Sequence, residues 1–329
     1  MKRKILILAS WYPSADSPLN GVFIQEQAEV LSECYDVAVL VPDVTGWRDL
    51  LSRRLKPRSE VSEEPTFSTY RERAFSAIPR VPSLPYQCYL GAAVRGFQRV
   101  RQAFGPPDLI HAHVVLPAGW AAVRLGGAYS IPVVLTEHTS PFRSHLISRY
   151  RKKLVAEALH RLDCLITVSP DLLRQVEQFS PIRTAAVVGN VIRTRFFVPG
   201  DQVQRQAAPQ QFLSVARLSP QKGIEYLIRA ARLLLDRGVS RFSVTIAGEG
   251  TDRGSLVELA GSLGVSNYFS FLGQVDRSEV RRLIQECDVF VLPSLHETFG
   301  IVTAEAMACG KRVIATRCGG PEFVVPRHA

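Results

Sequence analysis

The sequence predicts an α/β protein made of two doubly wound, parallel-sheet domains, and three observations carry that expectation. Short apolar runs alternate with helical patterns along the whole chain. The runs are near-continuously apolar and rich in Val and Ile, as strands covered on both faces must be. A polar stretch, VPGDQVQRQAAPQQ, separates one series of alternations from a second. At 329 residues the chain has the length of two domains of ~100–200 residues each. We therefore expect domains at 1–197 and 211–329, joined by a linker at 198–210.

The first series places strands at Ile5–Ala9, Val37–Val41, Leu109–Ala112, Pro132–Thr136, Cys164–Val168 and Ala185–Val188, with helices at Phe23–Leu31 and Gln87–Phe104. MKRKILILASWYPS starts with basic residues, but its apolar run is too short for a signal peptide, so it reads as the first strand of a cytoplasmic protein. A loop follows in which Asn20-Gly21 forms a turn leading into a helix. Residues Thr45 to Pro85 are charged and broken by proline, which predicts a long loop of the kind that forms lids. His111 and His113 alternate at a strand end and so point the same way. They suit metal ligation or simple hydrogen bonding, and no third ligand is evident. His138 follows a buried-type strand, at the carboxyl edge where open α/β sheets place ligands. FRSHLISRYRKKLVAEALHR, Phe142 to Arg161, reads as a basic amphipathic helix. It suits an anionic membrane surface, and equally a surface helix packed on the sheet with a solvated basic face.

The second series places strands at Phe212–Ala216, Ser243–Ala247, Phe269–Leu272, Asp288–Leu292 and Arg312–Thr316. After its first strand Arg217 and Lys222 occupy a loop, with Gly223 leading into a helix. Two cations just beyond a strand's carboxyl end are placed to hold a diphosphate, Arg as a fork and Lys as a point charge. IAGEGTDRGSL carries Gly248, Gly250 and Gly254 as G-x-G-x3-G, which is not the dinucleotide fingerprint. Asp288 to Glu322 completes the series. Its helix is expected from Gly300 onward, with Ile301, Ala304, Met307 and Ala308 at helical spacing and Gly310 at the C-cap. A helix N-terminus suits a phosphate. Glu305 would lie roughly 7 Å further along the axis, within reach of a ribose. Glu297, in the preceding loop, would face the other side of the phosphate.

The six cysteines are scattered with no C-x-x-C pair, which indicates neither a zinc site nor a disulfide framework. Of the net charge of +10, residues 1–210 carry +8 and residues 211–329 only +2. The basic excess of the first half can face anionic lipid, a phosphorylated substrate or nucleic acid.

Glu297 and Glu305 at E-x7-E, followed by EAMACGKRVIATRCGGPE, closely resemble the donor-site signature of retaining glycosyltransferase family 4 (glycosyl transferases group 1). Arg217/Lys222 at R-x4-K-G, the turn at Gly248 and Gly250, and FLGQV at Phe271 to Val275 are similar to further motifs of that family. The resemblance covers nearly the whole chain. It implies the GT-B fold, two Rossmann-like domains facing a cleft, the first binding the acceptor and the second the nucleotide-sugar. It also implies a hexosyltransferase that moves a sugar from a UDP- or GDP-sugar to a glycan or lipid-linked acceptor hydroxyl with retention, in envelope polysaccharide or glycolipid synthesis. Arg217, Lys222, Gly248, Gly250, Glu297, Phe299, Gly300, Ile301 and Glu305 would bind the donor. Asn20, Gly21 and His138 would meet the acceptor, and His138, Glu297, Arg217 and Lys222 would serve the chemistry. No Asp-x-Asp occurs, so neither a metal nor a cofactor is expected, and no nucleic-acid partner. The family often has a glycine pair near residue 21, where this chain has one, and an Asn-Gly where it has Gly189-Asn190. Family members continue beyond GGPE, so the second domain looks incomplete. Two rival readings are a GT-B nucleotide-sugar epimerase and a truncated, non-catalytic protein that binds nucleotide-sugar or sits on the inner face of the plasma membrane.

Overall fold

The computed structural model describes residues 2–46, 57–76, 81–200 and 209–325. The chain divides into two compact units, Met1–Val191 and Ile192–Ala329. The division falls earlier than the sequence suggested because Phe197, with Phe196 against it, is buried in the core of the second unit. Most of the expected linker, 201–208, lies outside the described residues.

In the first unit, strands β1 (Lys4–Ala9), β2 (Asp36–Gly46), β3 (Ser59–Glu63), β4 (Ser68–Ser76), β5 (Leu109–His113), β6 (Val133–Glu137), β7 (Cys164–Thr167) and β8 (Ala185–Val187) form one sheet. Its order is β3-β4-β2-β1-β5-β6-β7-β8. Every pairing is parallel except β3 with β4. Helices α1 (Val22–Cys34), α2 (Leu84–Ala103), α3 (Trp120–Tyr129), α4 (Arg149–Arg161) and α5 (Pro170–Glu177) connect them. Leu6, Ile7 and Leu8 are all buried, as a strand covered on both faces requires.

Two expectations in this unit need correction. Thr45 to Pro85 is not a long loop: β2 runs on to Gly46, β3 and β4 form an antiparallel pair, and α2 opens at Leu84, while 47–56 and 77–80 lie outside the described residues. The strands escape an apolar search because charge pairing stabilises them. Arg73 bonds Glu60 across the pair at 3.1 Å, and the buried Glu72 takes Arg99 at 2.6 Å. Phe142 to Arg161 is not one helix either. A 3-10 turn at Phe142–Leu146 is followed by an extended Ser148, whose hydroxyl caps α4 by accepting from the Arg151 amide at 3.2 Å. Leu154, Val155, Ala158 and Leu159 are buried, so the apolar face of α4 packs inward and Arg149, Lys152 and Lys153 face solvent.

In the second unit β9 (Gln210–Val215), β10 (Phe242–Ala247), β11 (Phe269–Gly273), β12 (Val289–Leu292) and β13 (Arg312–Ala315) form a parallel sheet ordered β11-β10-β9-β12-β13. Helices α6 (Ile224–Asp236), α7 (Arg253–Ser262), α8 (Arg277–Glu286), α9 (Ile301–Ala308) and α10 (Pro321–Val324) cover it. One face carries a core around Leu213, Ile284, Phe290 and Ala306, the other around Ile228, Val244 and Ile246. All five strands fall where the apolar runs predict them.

Candidate functional site

In an open parallel sheet, loops leaving adjacent strands in opposite directions open a crevice at the strands' carboxyl ends. In the second unit that switch lies between β9 and β12. The loop after β9 carries Arg217, and a 3-10 turn at Pro220–Lys222 leads into α6. Gly223 stands there in the left-handed region (φ 61°), and a Cβ at that position would lie 2.2 Å from the Pro293 carbonyl. Only glycine lets the two loops approach so closely. The approach is fixed by Leu295 donating to the Gln221 carbonyl at 2.8 Å and the Gln221 side chain donating to the His296 carbonyl at 3.0 Å.

The result is a pre-formed ion pair. Lys222 Nζ donates to Glu297 Oε1 at 2.6 Å, and Ser294 Oγ donates to the same oxygen at 2.8 Å. The backbone of Glu297 is held too, through its amide to Cys318 O (3.3 Å) and its carbonyl from the Gly320 amide (2.9 Å). Glu322, the last residue of GGPE, accepts from the amides of Cys318 and Gly319 at 3.2 and 2.9 Å and closes that turn. The structure thus brings Lys222 and Glu297 together, while Arg217 stands exposed on the same loop.

A third loop, after β10, presses against the first. Gly248 has φ 137°, and a Cβ there would sit 1.9 Å from the Ala216 carbonyl; at Gly250 it would sit 2.0 Å from that of Leu218. These glycines set the spacing of the loops around Arg217. FLGQV contributes through Gly273, whose carbonyl accepts from the Gly248 amide at 2.7 Å.

Helix α9 starts at Ile301 with Gly300 as its left-handed N-cap, which leaves first-turn amides outside the helix ladder, and Phe299 just before it is buried. The inward face differs from the expected one. Thr303, Glu305 and Ala306 are buried, whereas Ile301, Ala304, Met307 and Ala308 are half-covered. Polar groups can face inward because they are bonded: Thr303 Oγ1 donates to the Gly300 carbonyl at 2.6 Å, and Arg277 Nη1 donates to Glu305 Oε1 at 2.6 Å. Arg277 also lies over the Phe197 ring, 4.9 Å from its centroid.

In the first unit His138 and His113 stand at the ends of β6 and β5. His113 Nδ1 and His138 Nε2 are 3.0 Å apart, and His111 Nε2 is 2.7 Å from Thr136 Oγ1. His111 and His113 are both hydrogen-bonded, and among the described residues no group of three or more His, Cys, Asp or Glu could hold a metal ion. Burial lowers His138 and His111 from 6.5 to about 4, and for His138 the Glu137 charge and the Asn190 side chain oppose the shift. His113 is pushed well below 6.5 by burial and by its two histidine neighbours. Phe23, at the start of α1, packs its ring 4.7 Å from that of His138, which brings the helix opened by Gly21 to the same place; Asn20 is exposed in the turn before it.

Four participants are not anticipated from sequence. Glu137 is fully buried and accepts from the amides of Val115 (2.7 Å), His138 (2.9 Å) and Thr139 (2.7 Å). Burial works to raise its carboxyl, but His145 and Thr139 more than offset it and leave it at about 2. An acid ending an apolar strand is a readable signal for it. Beside it Val114 has φ 73°. A β-branched residue there stores ~1–3 kcal/mol of strain, a mark of positions the surroundings over-determine. Arg277 and Ser294 carry no sequence signal beyond their polarity. Asn190, whose role the reversed Gly189-Asn190 order weakens relative to the family, lies against His138.

A family model described as Glycosyltransferase Family 4 matches residues 22–196, and one described as Glycosyl transferases group 1 matches 201–328. The chain is 32% identical over 222 residues to a glycogen synthase of Mycobacterium tuberculosis, covering 65% of this chain and 53% of that protein. It thus spans about half the length of that curated relative. Sucrose-phosphate synthase from Thermosynechococcus elongatus superposes with a TM-score of 0.75 at 21% identity, over 98% of this chain and 83% of that one. HepE of Anabaena, solved in complex with UDP, gives 0.71 at 20% identity, over 99% and 83%. The two parallel-sheet units have the GT-B fold of those structures.

Proposed function

Because the chain belongs to glycosyltransferase family 4, we propose that it transfers a sugar from a UDP- or GDP-sugar to an acceptor hydroxyl with retention of configuration, without a metal. The Lys222–Glu297 pair at the β9/β12 switch is the observation that carries this reading. When the bond from the anomeric carbon to the diphosphate breaks, negative charge builds on the leaving oxygen. Arg217, Lys222 and the amides at the start of α9 would take up that charge, and a donor set in place beforehand, as Lys222 is, needs no reorganisation. Positive charge builds on the sugar ring, and Glu297 is placed to stabilise it or to hold the sugar's hydroxyls. The acceptor oxygen bonds the anomeric carbon on the face the diphosphate leaves, and its proton passes to the departing phosphate oxygen, so no separate base is needed. Glu305 would take the ribose hydroxyls. The UDP complex of HepE supports a nucleotide donor by analogy of fold. Asn20, Gly21 and His138 would meet the acceptor, and the basic outer face of α4 would bring the protein to an anionic membrane.

The test is release of nucleoside diphosphate from a panel of UDP- and GDP-sugars, with EDTA present. The reading expects one preferred donor, no effect of EDTA and a product of unchanged anomeric configuration by NMR. Inversion at the anomeric carbon, or a strict need for a divalent cation, would contradict it.

A further inference from the structure

The carboxylate of Glu137 has no part in the chemistry above, yet it organises the turns beside His138. It is fully buried at the end of β6 and accepts three backbone N–H bonds, of 2.7, 2.9 and 2.7 Å. The donors come from two turns: Val115 follows β5, whereas His138 and Thr139 follow β6. His145, from the 3-10 turn before α4, lies 3.5 Å from Glu137 Oε1, and its Nε2 is 2.8 Å from Thr139 Oγ1. The left-handed Val114 falls between the end of β5 and the first of these donors. We infer that Glu137 is a positioning residue, whose carboxylate locks the turn after β5 to the turn after β6 and thereby fixes the His138 ring. The inference rests on the reading of His138 as the group that meets the acceptor or the transferred sugar.

The ring environment shows what is being fixed. His113 faces His138 from β5, with His111 behind it; Phe23 faces it from α1 and Asn190 from beyond β8. His113 Nε2 is buried with no hydrogen-bond partner among the described residues. A proton on that nitrogen would be an orphaned buried donor, which is rarer and costlier than an orphaned acceptor. The Asn190 side chain acts on the His138 ring as a hydrogen-bond partner whereas none faces His113 Nε2, so His113 carries its proton on Nδ1 and donates to His138 Nε2, and His138, whose Nε2 is thus taken, carries its own on Nδ1. This assignment follows from the hydrogen-bond network. It holds only while β5 and β6 keep their turns in register, which is what Glu137 secures.

Glu137→Gln tests this without changing side-chain size. Its amide NH2 can accept nothing from Val115, so the tie between the turns is cut while the His138 and Thr139 bonds can persist. The readout is NMR of the His138 ring nitrogens across pH. The wild type should show one tautomer, protonated on Nδ1 and resisting further protonation until about pH 4. In the variant the two nitrogens should average, and protonation should move up toward the ordinary 6.5. If Glu137 acted only through its charge, the ring would keep one tautomer and protonate at still lower pH, because that charge favours the imidazolium; this outcome overturns the inference. Amide exchange judges it even if the variant folds poorly. In the wild type Val115, His138 and Thr139 should be protected like strand amides, and exchange at the rate of open loops would overturn it. In a folded variant, Val115 exchange should rise about tenfold or more, as loss of a charge-assisted bond implies. Binding of UDP and GDP to the second unit should be unchanged. If the wild type transfers no sugar, the proposed function fails, while the ring and amide readouts still judge Glu137.

Discussion

Lys222 and Glu297 hold each other at 2.6 Å, so on the proposed function each would already be oriented when charge develops between diphosphate and sugar. Lys222→Ala should lower nucleotide release by about 10²–10³-fold, the usual cost of removing one pre-set electrostatic donor. Steady-state kinetics with the preferred donor will show it, and a change confined to KM would count against a role in the transition state. Arg277 acts differently. Arg277→Met leaves the buried Glu305 carboxylate without its guanidinium, which should cost on the order of 3 kcal/mol in denaturant unfolding. Replacing Glu305 by Gln in the same chain should restore most of it. The titrating groups of the first unit set an acid limit. His111 and His138 fall from 6.5 to about 4, so the unfolded chain binds protons more readily than the folded one between those values. Their contribution is complete above about pH 6.5 and is lost as pH falls toward 4, by an amount on the order of 3 kcal/mol for each histidine. Glu137, depressed to about 2, adds a further loss between about pH 4.5 and 2. A melting temperature flat from pH 6.5 to 4.5 would contradict this.

The loops around the proposed donor site owe their spacing to single glycines. Gly248→Ala puts a methyl 1.9 Å from the Ala216 carbonyl on backbone that alanine rarely adopts. It should weaken nucleotide binding and lower stability by about 1–3 kcal/mol, by calorimetry and thermal unfolding. On the other unit, α4 shows Lys152 and Lys153 to solvent, with Ile147 at 74% exposure just before the helix. Lys152→Glu with Lys153→Glu should reduce sedimentation with anionic vesicles and leave the melting temperature unchanged. At this scale, what sequence reveals follows the physics of burial. Strands covered on both faces, such as β1 and β12, announce themselves by continuous apolar runs. The hairpin of β3 and β4 does not, because Glu60, Arg73 and the buried Glu72 stabilise it by pairing across space. Ser148 is equally silent: a hydroxyl that caps α4 reads, in sequence, as one polar residue inside a helical pattern. Inward-facing Thr303 and Glu305 invert the apolar face expected of α9, and their bonds to Gly300 and Arg277 help make that burial tolerable.

On the proposed function, the two units divide the chemistry, with the donor residues in the second and the acceptor residues in the first. The second unit gathers Lys222, Glu297, Gly300 and Glu305 around one switch point, and these are the residues the motif spacing singled out. The first unit, which carries most of the basic excess, gathers His113, His138, Glu137 and Asn190, of which spacing singled out only the histidines. Motifs are readable where their residues lie near one another in sequence, as within E-x7-E. They fade where the partner comes from a distant segment, as Asn190, beyond β8, does for His138. Among the described residues no helix is long and apolar enough to cross a membrane.

The central claim is that Glu297 acts on the sugar undergoing transfer, not on nucleotide binding. The measurement that reaches it most directly is nucleoside diphosphate release by the wild type and by Glu297→Ala at saturating donor, with binding of the nucleotide alone determined on the same samples. The account predicts that release falls about 10²–10³-fold while nucleotide affinity stays within a few-fold. Wild-type release from the variant, or loss of nucleotide binding equal to the loss of turnover, would contradict it.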